Sequence, residues 1–213
     1  RRGKGGQPLN IVHRDVSLSN LMIGYDGAIK LIDFGIAKME EQTSISVVGE
    51  LKGTASYMAP EQCHGDPVDH RTDIYALGVV LYELVTMTRA FRETTEEETI
   101  ERVLRGQVVR PSKIVDTCPQ ELERIILTAF ARDPRDRFQD AEELQRELEA
   151  FARQENVRIG NPAIVPVMEV LFEDREEPWR SQSDGVPEEA AEDELTVPEE
   201  QQLPTPQLIE RRA

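Results

Sequence analysis

Apolar side chains in this chain fall into short runs near the start and into helical stripes further on. Ile11 and Val12 are adjacent and β-branched, which predicts a short buried strand. From Leu21 to Leu31 (LMIGYDGAIKL) two apolar runs flank Tyr25-Asp26-Gly27, and Asp-Gly is turn chemistry, so a hairpin is expected. Ile36 to Lys52 is polar and has no sustained period, as a loop should be. Asp69 to Met87 is the most hydrophobic stretch and predicts a buried central helix. Its best run, Ala76 to Leu81, is too short to span a bilayer and is soon interrupted by Glu83. Thr94 to Arg105 predicts a helix with Glu96, Glu97 and Glu98 near the positive end of its dipole. Its charges suit either a contact surface or a solvated face. Pro119 to Arg132 places Leu122, Ile125, Ile126 and Ala129 at core spacing. Asp140 followed by Glu143 predicts a capping box, and Leu144, Leu148 and Phe151 continue one stripe towards Arg153. The fold class expected is mainly α, a helical bundle with one small β-hairpin.

Composition divides the chain. At 213 residues with 38% hydrophobic content, it can bury one sizeable core. Residues 155–213 hold 15 acidic and 5 basic side chains, so most of the net charge of −16 lies there. Prolines recur, and VPEEAAEDELTVPEE has too little apolar content for a core. A folded domain over 1–153 and an acidic, disordered tail over 154–213 are therefore expected. Ile164 to Phe172 (IVPVMEVLF) is the exception, an apolar patch that could dock on the domain or on a partner. The opening RRGKGGQPLN reads as an insertion at a turn or as a flexible loop.

The charge argues against nucleic acid or an anionic membrane as a direct partner. Cys63 and Cys118 lack zinc or redox spacing and read as free thiols in a reducing cytosol. Neither a signal peptide nor a membrane segment is evident, so a cytoplasmic location is expected.

Chemistry concentrates in three short stretches: IVHRDVSLSN (11–20), LIDFGIAK (31–38) and GTASYMAPEQ (53–62). An HRD with Asn five positions beyond its Asp, then DFG, then APE, resembles the catalytic half of a bacterial-type, eukaryotic-like serine/threonine protein kinase. Asp15 and Asp33 are 18 residues apart and Asp33 and Glu61 are 28 apart, room for a hairpin and then an activation loop. The resemblance covers about residues 1–153, the larger C-terminal lobe of that fold. No G-x-G-x-x-G occurs, and the ten residues before Ile11 cannot hold a phosphate-binding lobe.

The resemblance implies a role for each matching residue. Asp15 would orient the acceptor hydroxyl, while Asn20 and Asp33 would hold Mg2+ against the phosphates of ATP. Phe34 would pack inward, and Gly35 would let the backbone swing. His13 is expected to be structural rather than a base. Arg14 would pair with a phosphorylated loop residue, with Thr43, Ser44 and Ser46 as candidates, or would brace the loop through backbone carbonyls. Thr54 would bond near Asp15 and favour a Ser or Thr acceptor. Ser17 departs from the family pattern, which mostly has lysine there, and brings a hydroxyl in place of a cation. Glu61 would form a buried salt bridge with Arg137 of DPRDRF, and Asp73 would cap the central helix or tether the HRD turn.

The expected function is transfer of the ATP γ-phosphoryl group to Ser/Thr of protein substrates, with this chain inactive alone. The other reading is a non-catalytic, pseudokinase-like scaffold or binding module. Ser17 and the missing N-terminal lobe favour it, and the intact Asp15, Asn20 and Asp33 set opposes it.

Overall fold

A computed structural model describes residues 11–34, 55–91 and 93–172. Two strands, β1 (Leu21–Ile23) and β2 (Ile29–Leu31), pair antiparallel with Leu21 opposite Leu31 and Ile23 opposite Ile29. The Asp-Gly turn forms as expected: Asp26 caps the Ala28 amide at 3.0 Å, and Gly27 takes φ +74°. Helices α1 (Pro60–His64), α2 (Arg71–Thr86), α3 (Glu96–Arg105), α4 (Gln120–Ala129), α5 (Ala141–Gln154) and α6 (Asn161–Phe172) follow.

The central stripe does what its composition demands. Along α2, Tyr75, Val79 and Val80 point into one apolar cluster with Tyr57, Phe91, Val103, Ile126 and Phe130. On another face Ile74 joins a second cluster with Ile125, Ala129, Phe138 and Leu144. Phe130 is the hub of the first, meeting the rings of Tyr75, Tyr82 and Phe91 edge-on at centroid distances of 6.1, 5.8 and 6.3 Å. Gly78 lets α2 and α4 approach closely, because a Cβ there would lie 2.7 Å from the Phe130 nitrogen and 2.9 Å from the Ala129 Cβ.

Helix ends follow their capping residues. Thr95 and Glu98 form a reciprocal capping box at the start of α3, which ends in left-handed Gly106. At α5 only half of the expected box forms. The Asp140 carboxylate accepts from the Glu143 amide at 2.7 Å, but the Glu143 side chain takes the Gln139 amide at 2.6 Å, one residue earlier. The stripe Leu144, Leu148 and Phe151 packs on the second cluster. Both cysteines are free thiols, and burial pushes Cys63 up to about 12, so it stays a thiol at neutral pH.

Two segments differ from expectation. Ile11 and Val12 form no strand, and Ile11 is 59% exposed. β-Branching favours extended backbone, yet a strand needs a ladder partner, and none of the described residues offers one. Residues 161–172, within the segment expected to be tail, form α6; residues 173–213 lie outside the described residues. Pro166 removes one hydrogen bond inside α6, so the helix depends on docking. It buries Met168 and sets Phe172 edge-on to Tyr25 at 5.8 Å. It also lays Asn161 against the hairpin turn, where a Cβ on Gly27 would sit 2.6 Å from the Asn161 carbonyl oxygen. Gly27→Ala is therefore expected to lift α6 off the hairpin and to cost roughly 1–2 kcal/mol in left-handed strain as well. Faster proteolysis between 155 and 172, with α2 still protected, would report it; unchanged proteolysis would contradict the docking. Among the described residues no helix is long and apolar enough to cross a membrane.

Candidate active site

The site begins with the turn His13-Arg14-Asp15. The Asp73 carboxylate accepts from the backbone N–H of His13 at 2.8 Å and from that of Arg14 at 2.8 Å, one oxygen to each. Asp73 does not cap α2, since the N-cap position is His70; its carboxylate serves the turn 60 residues upstream instead. Burial lifts the Asp73 carboxyl above its usual range despite these two amides. A folded pKa above the unfolded one means that Asp73 favours folding in acid and that this contribution is lost as pH rises through the folded value. The tether is thus kept at some cost in stability. It holds Arg14 at φ +67°, a left-handed conformation that costs a non-glycine residue roughly 1–2 kcal/mol.

From this turn the chain passes through a helical turn at Leu18–Asn20 into β1. The Asn20 amide nitrogen donates to the Asp15 carbonyl at 2.8 Å and to its carboxylate Oδ2 at 3.1 Å. With its NH2 turned to Asp15, Asn20 directs its amide oxygen the other way. The ladder brings the second acid to the same end of the hairpin: the Ile32 amide donates to the Asn20 carbonyl at 2.9 Å, and Asp33 follows at φ +56°, exposed. Asn20 and Asp33 therefore flank one end of a two-stranded ladder, with Asp15 bonded to the first of them. An amide oxygen and a carboxylate are hard oxygen donors. They fit a small divalent cation that keeps waters or takes phosphate oxygens for its other positions. The described residues contain no cluster of three or more His, Cys, Asp or Glu side chains that could hold a metal by themselves.

Other expectations fare differently. His13 is buried, with no hydrogen-bond partner for either ring nitrogen among the described residues, and it packs on Phe34 at a centroid distance of 4.5 Å. Phe34 does not pack inward: it is 53% exposed, with one face on His13. Ser17 is only 3% exposed, and its hydroxyl lies 2.9 Å from that of Ser19, so it faces the loop rather than the open end of the site. Gly35, Thr43, Ser44, Ser46 and Thr54 lie outside the described residues. Arg14, half-buried, carries the strained turn.

Glu61 and Arg137 meet as expected, Oε1 to Nη1 at 2.7 Å and Oε2 to Nη2 at 2.8 Å. Two further contacts are new. The Gln62 side chain donates to the Arg14 carbonyl at 3.1 Å and accepts from the Ala59 amide at 2.9 Å. The Tyr57 hydroxyl donates to the buried Glu83 carboxylate at 2.6 Å, and Arg89 reaches both, at 2.5 and 3.0 Å. Burial, and then the Glu83 carboxylate, pushes the Tyr57 phenol up to about 12. One signal for the second contact was present in the sequence, because a glutamate inside the most hydrophobic helix requires a partner.

The geometry thus places an acid on a strained turn beside two hard oxygen donors at a hairpin end. The family model for the protein kinase domain matches residues 8–148, and the chain belongs to that family. It is 45% identical over 148 residues to the tyrosine-protein kinase MasK of Myxococcus xanthus, covering 70% of this chain and 23% of that protein. It is 37% identical over 144 residues to the serine/threonine-protein kinase PknL of Mycobacterium tuberculosis, covering 68% and 36%. With the serine/threonine-protein kinase PknB of Mycobacterium leprae it shares 37% over 139 residues, covering 65% and 22%. The chain thus spans between about a fifth and little more than a third of the length of these relatives.

Proposed function

We propose that this chain is the catalytic half of a serine/threonine protein kinase that transfers the γ-phosphoryl group of ATP to protein hydroxyls. The observation that carries the reading is the bonding of Asn20 to Asp15, with Asp33 delivered beside Asn20 by the hairpin ladder. In this reading Asp15 orients the acceptor hydroxyl, and Asn20 and Asp33 hold Mg2+. The bound ion would neutralise charge on the phosphates and leave the protein the work of positioning. Thr54 shapes the acceptor side, and Arg14 answers phosphorylation at Thr43, Ser44 or Ser46. The names of the relatives divide, since MasK is named a tyrosine kinase and PknL and PknB serine/threonine kinases. Gly53-Thr54 before Tyr57-Met58-Ala59-Pro60-Glu61 supports the serine/threonine side. A cytosolic location fits the free thiols.

The hairpin exposes Ile23, Ile29 and Leu31 on one face of the ladder and Met22 on the other, more apolar surface than a two-stranded ladder usually leaves without a partner. This supports activity in a longer chain rather than in these residues alone. The binding-module reading keeps one specific support, the burial of Ser17 where the family has a lysine. Phosphoamino-acid analysis of a substrate labelled by the full-length protein tests the proposal. Phosphoserine or phosphothreonine formed only with a divalent cation supports it. Phosphotyrosine alone overturns the acceptor class, and no label at all favours the binding module.

A further inference from the structure

The turn that carries Asp15 is held from more than one side. Asp73 takes the backbone N–H groups of His13 and Arg14, and so fixes the two peptide planes that precede the Arg14 Cα. The plane that follows it joins the Arg14 carbonyl to the Asp15 nitrogen. Because a peptide unit is planar, fixing that carbonyl oxygen fixes the direction in which the chain enters Asp15. The group on that oxygen is the Gln62 amide, at 3.1 Å.

Gln62 is suited to hold rather than to follow. It lies in the first turn of α1, directly after Glu61, whose carboxylate is clamped by Arg137 at 2.7 and 2.8 Å. The other end of its side chain accepts from the Ala59 amide at 2.9 Å, closing the segment that leads out of the Tyr57 turn. One side chain thus ties the end of the acceptor-side loop to the peptide preceding Asp15. Backbone held left-handed at a non-glycine residue relaxes when its restraints are removed, and Arg14 is such a residue at φ +67°.

We infer that Gln62 is a positioning residue for Asp15, coupling the acceptor-side loop to the catalytic turn through the Arg14 carbonyl. The inference rests on the kinase reading for the role of Asp15, but the geometric coupling can be tested separately. Gln62→Glu keeps the acceptor for the Ala59 amide and removes the donor to Arg14. Gln62→Lys does the reverse, and Gln62→Met removes both. In the full-length kinase, Gln62→Glu and Gln62→Met should lower kcat by roughly tenfold to a hundredfold, the scale of a small misplacement at the reacting centre. KM for ATP should stay within about twofold, the thermal midpoint of Gln62→Glu should not move, and Gln62→Lys should recover most of the turnover. In parallel, amide exchange on the full-length protein should show lost protection at His13 and Arg14, whose amides donate to Asp73, in Gln62→Glu, with α2 unchanged. An unaltered kcat in Gln62→Glu, or a loss matched by a fall in thermal midpoint, overturns the inference. So does unaltered exchange at His13 and Arg14. If Asp15→Asn retains full transfer, the kinase reading of Asp15 fails instead, and the exchange result still decides the coupling.

Discussion

Arg137→Ala should lower the unfolding free energy by about 3–5 kcal/mol, the usual cost of stranding one charge of a buried pair. Native stability is typically about 5–15 kcal/mol, so this one change should leave the domain marginal. The geometry explains why the loss is not shared out among neighbours. The Arg137 side chain is 0% exposed and donates five hydrogen bonds: two to Glu61, and one each to the carbonyls of Arg71, Ala131 and Arg132. Its guanidinium also lies 4.8 Å from the centroid of the Tyr75 ring. Removing it leaves the Glu61 carboxylate with the Thr72 hydroxyl, at 2.8 Å, and three carbonyls that have lost a donor.

The same pair sets a pH dependence. Burial alone would push the Glu61 carboxyl up, but Arg137, the helix backbone and Thr72 outweigh it and hold the group below the usual carboxylate range. A folded pKa below the unfolded one means the contribution is present above the unfolded value and is lost as pH falls through the folded value. In urea titrations, the stability gap between the parent and Glu61→Gln should be largest near neutral pH and should shrink in acid. A gap that is flat with pH would contradict the pairing. A small effect of Arg137→Ala would mean that the buried network is not formed.

Asp15→Asn should have the largest effect on activity, a loss of transfer on the order of 10²–10⁴-fold, the range for removing a positioned proton acceptor. The substitution preserves size and leaves an oxygen for the Asn20 amide, so the turn should survive. What disappears is the negative charge that, in the proposed mechanism, orients and accepts from the acceptor hydroxyl. Because the proposed ligands of the metal–nucleotide complex are Asn20 and Asp33, KM for ATP should change little while kcat falls. A variant that loses ATP binding in proportion to turnover would place Asp15 in the nucleotide site. Retained turnover would remove it from the mechanism.

The parts of the molecule that could be read from sequence are those dictated locally. The hairpin follows from Asp26-Gly27, and the start of α5 follows from Asp140. Glu61–Arg137 and the tether of Asp73 to the HRD turn span 76 and 60 residues, and they were accessible through the family pattern rather than through any local rule. Where neither guide applied, reading failed. Gln62 to Arg14 spans 48 residues, and nothing in either local segment announces it. The expected strand at Ile11 and Val12 rested on propensity, and the pairing that makes a strand is non-local. At α6 the apolar patch over residues 164–172 was legible as a docking segment, but its partner, the Tyr25–Gly27 turn far back in the chain, was not. Phe34 differs for a related reason, because an aromatic packs only as far as its surroundings allow.

The assignment of Asp15, Asn20 and Asp33 to one phosphoryl-transfer site is tested most directly by a time course with γ-labelled ATP. The full-length protein should be compared with its Asp33→Asn variant, after circular dichroism shows that both are equally folded. The account predicts label on a protein acceptor in the parent and its loss in the variant. Label transferred equally by both would contradict the assignment and place the chemistry elsewhere in the molecule.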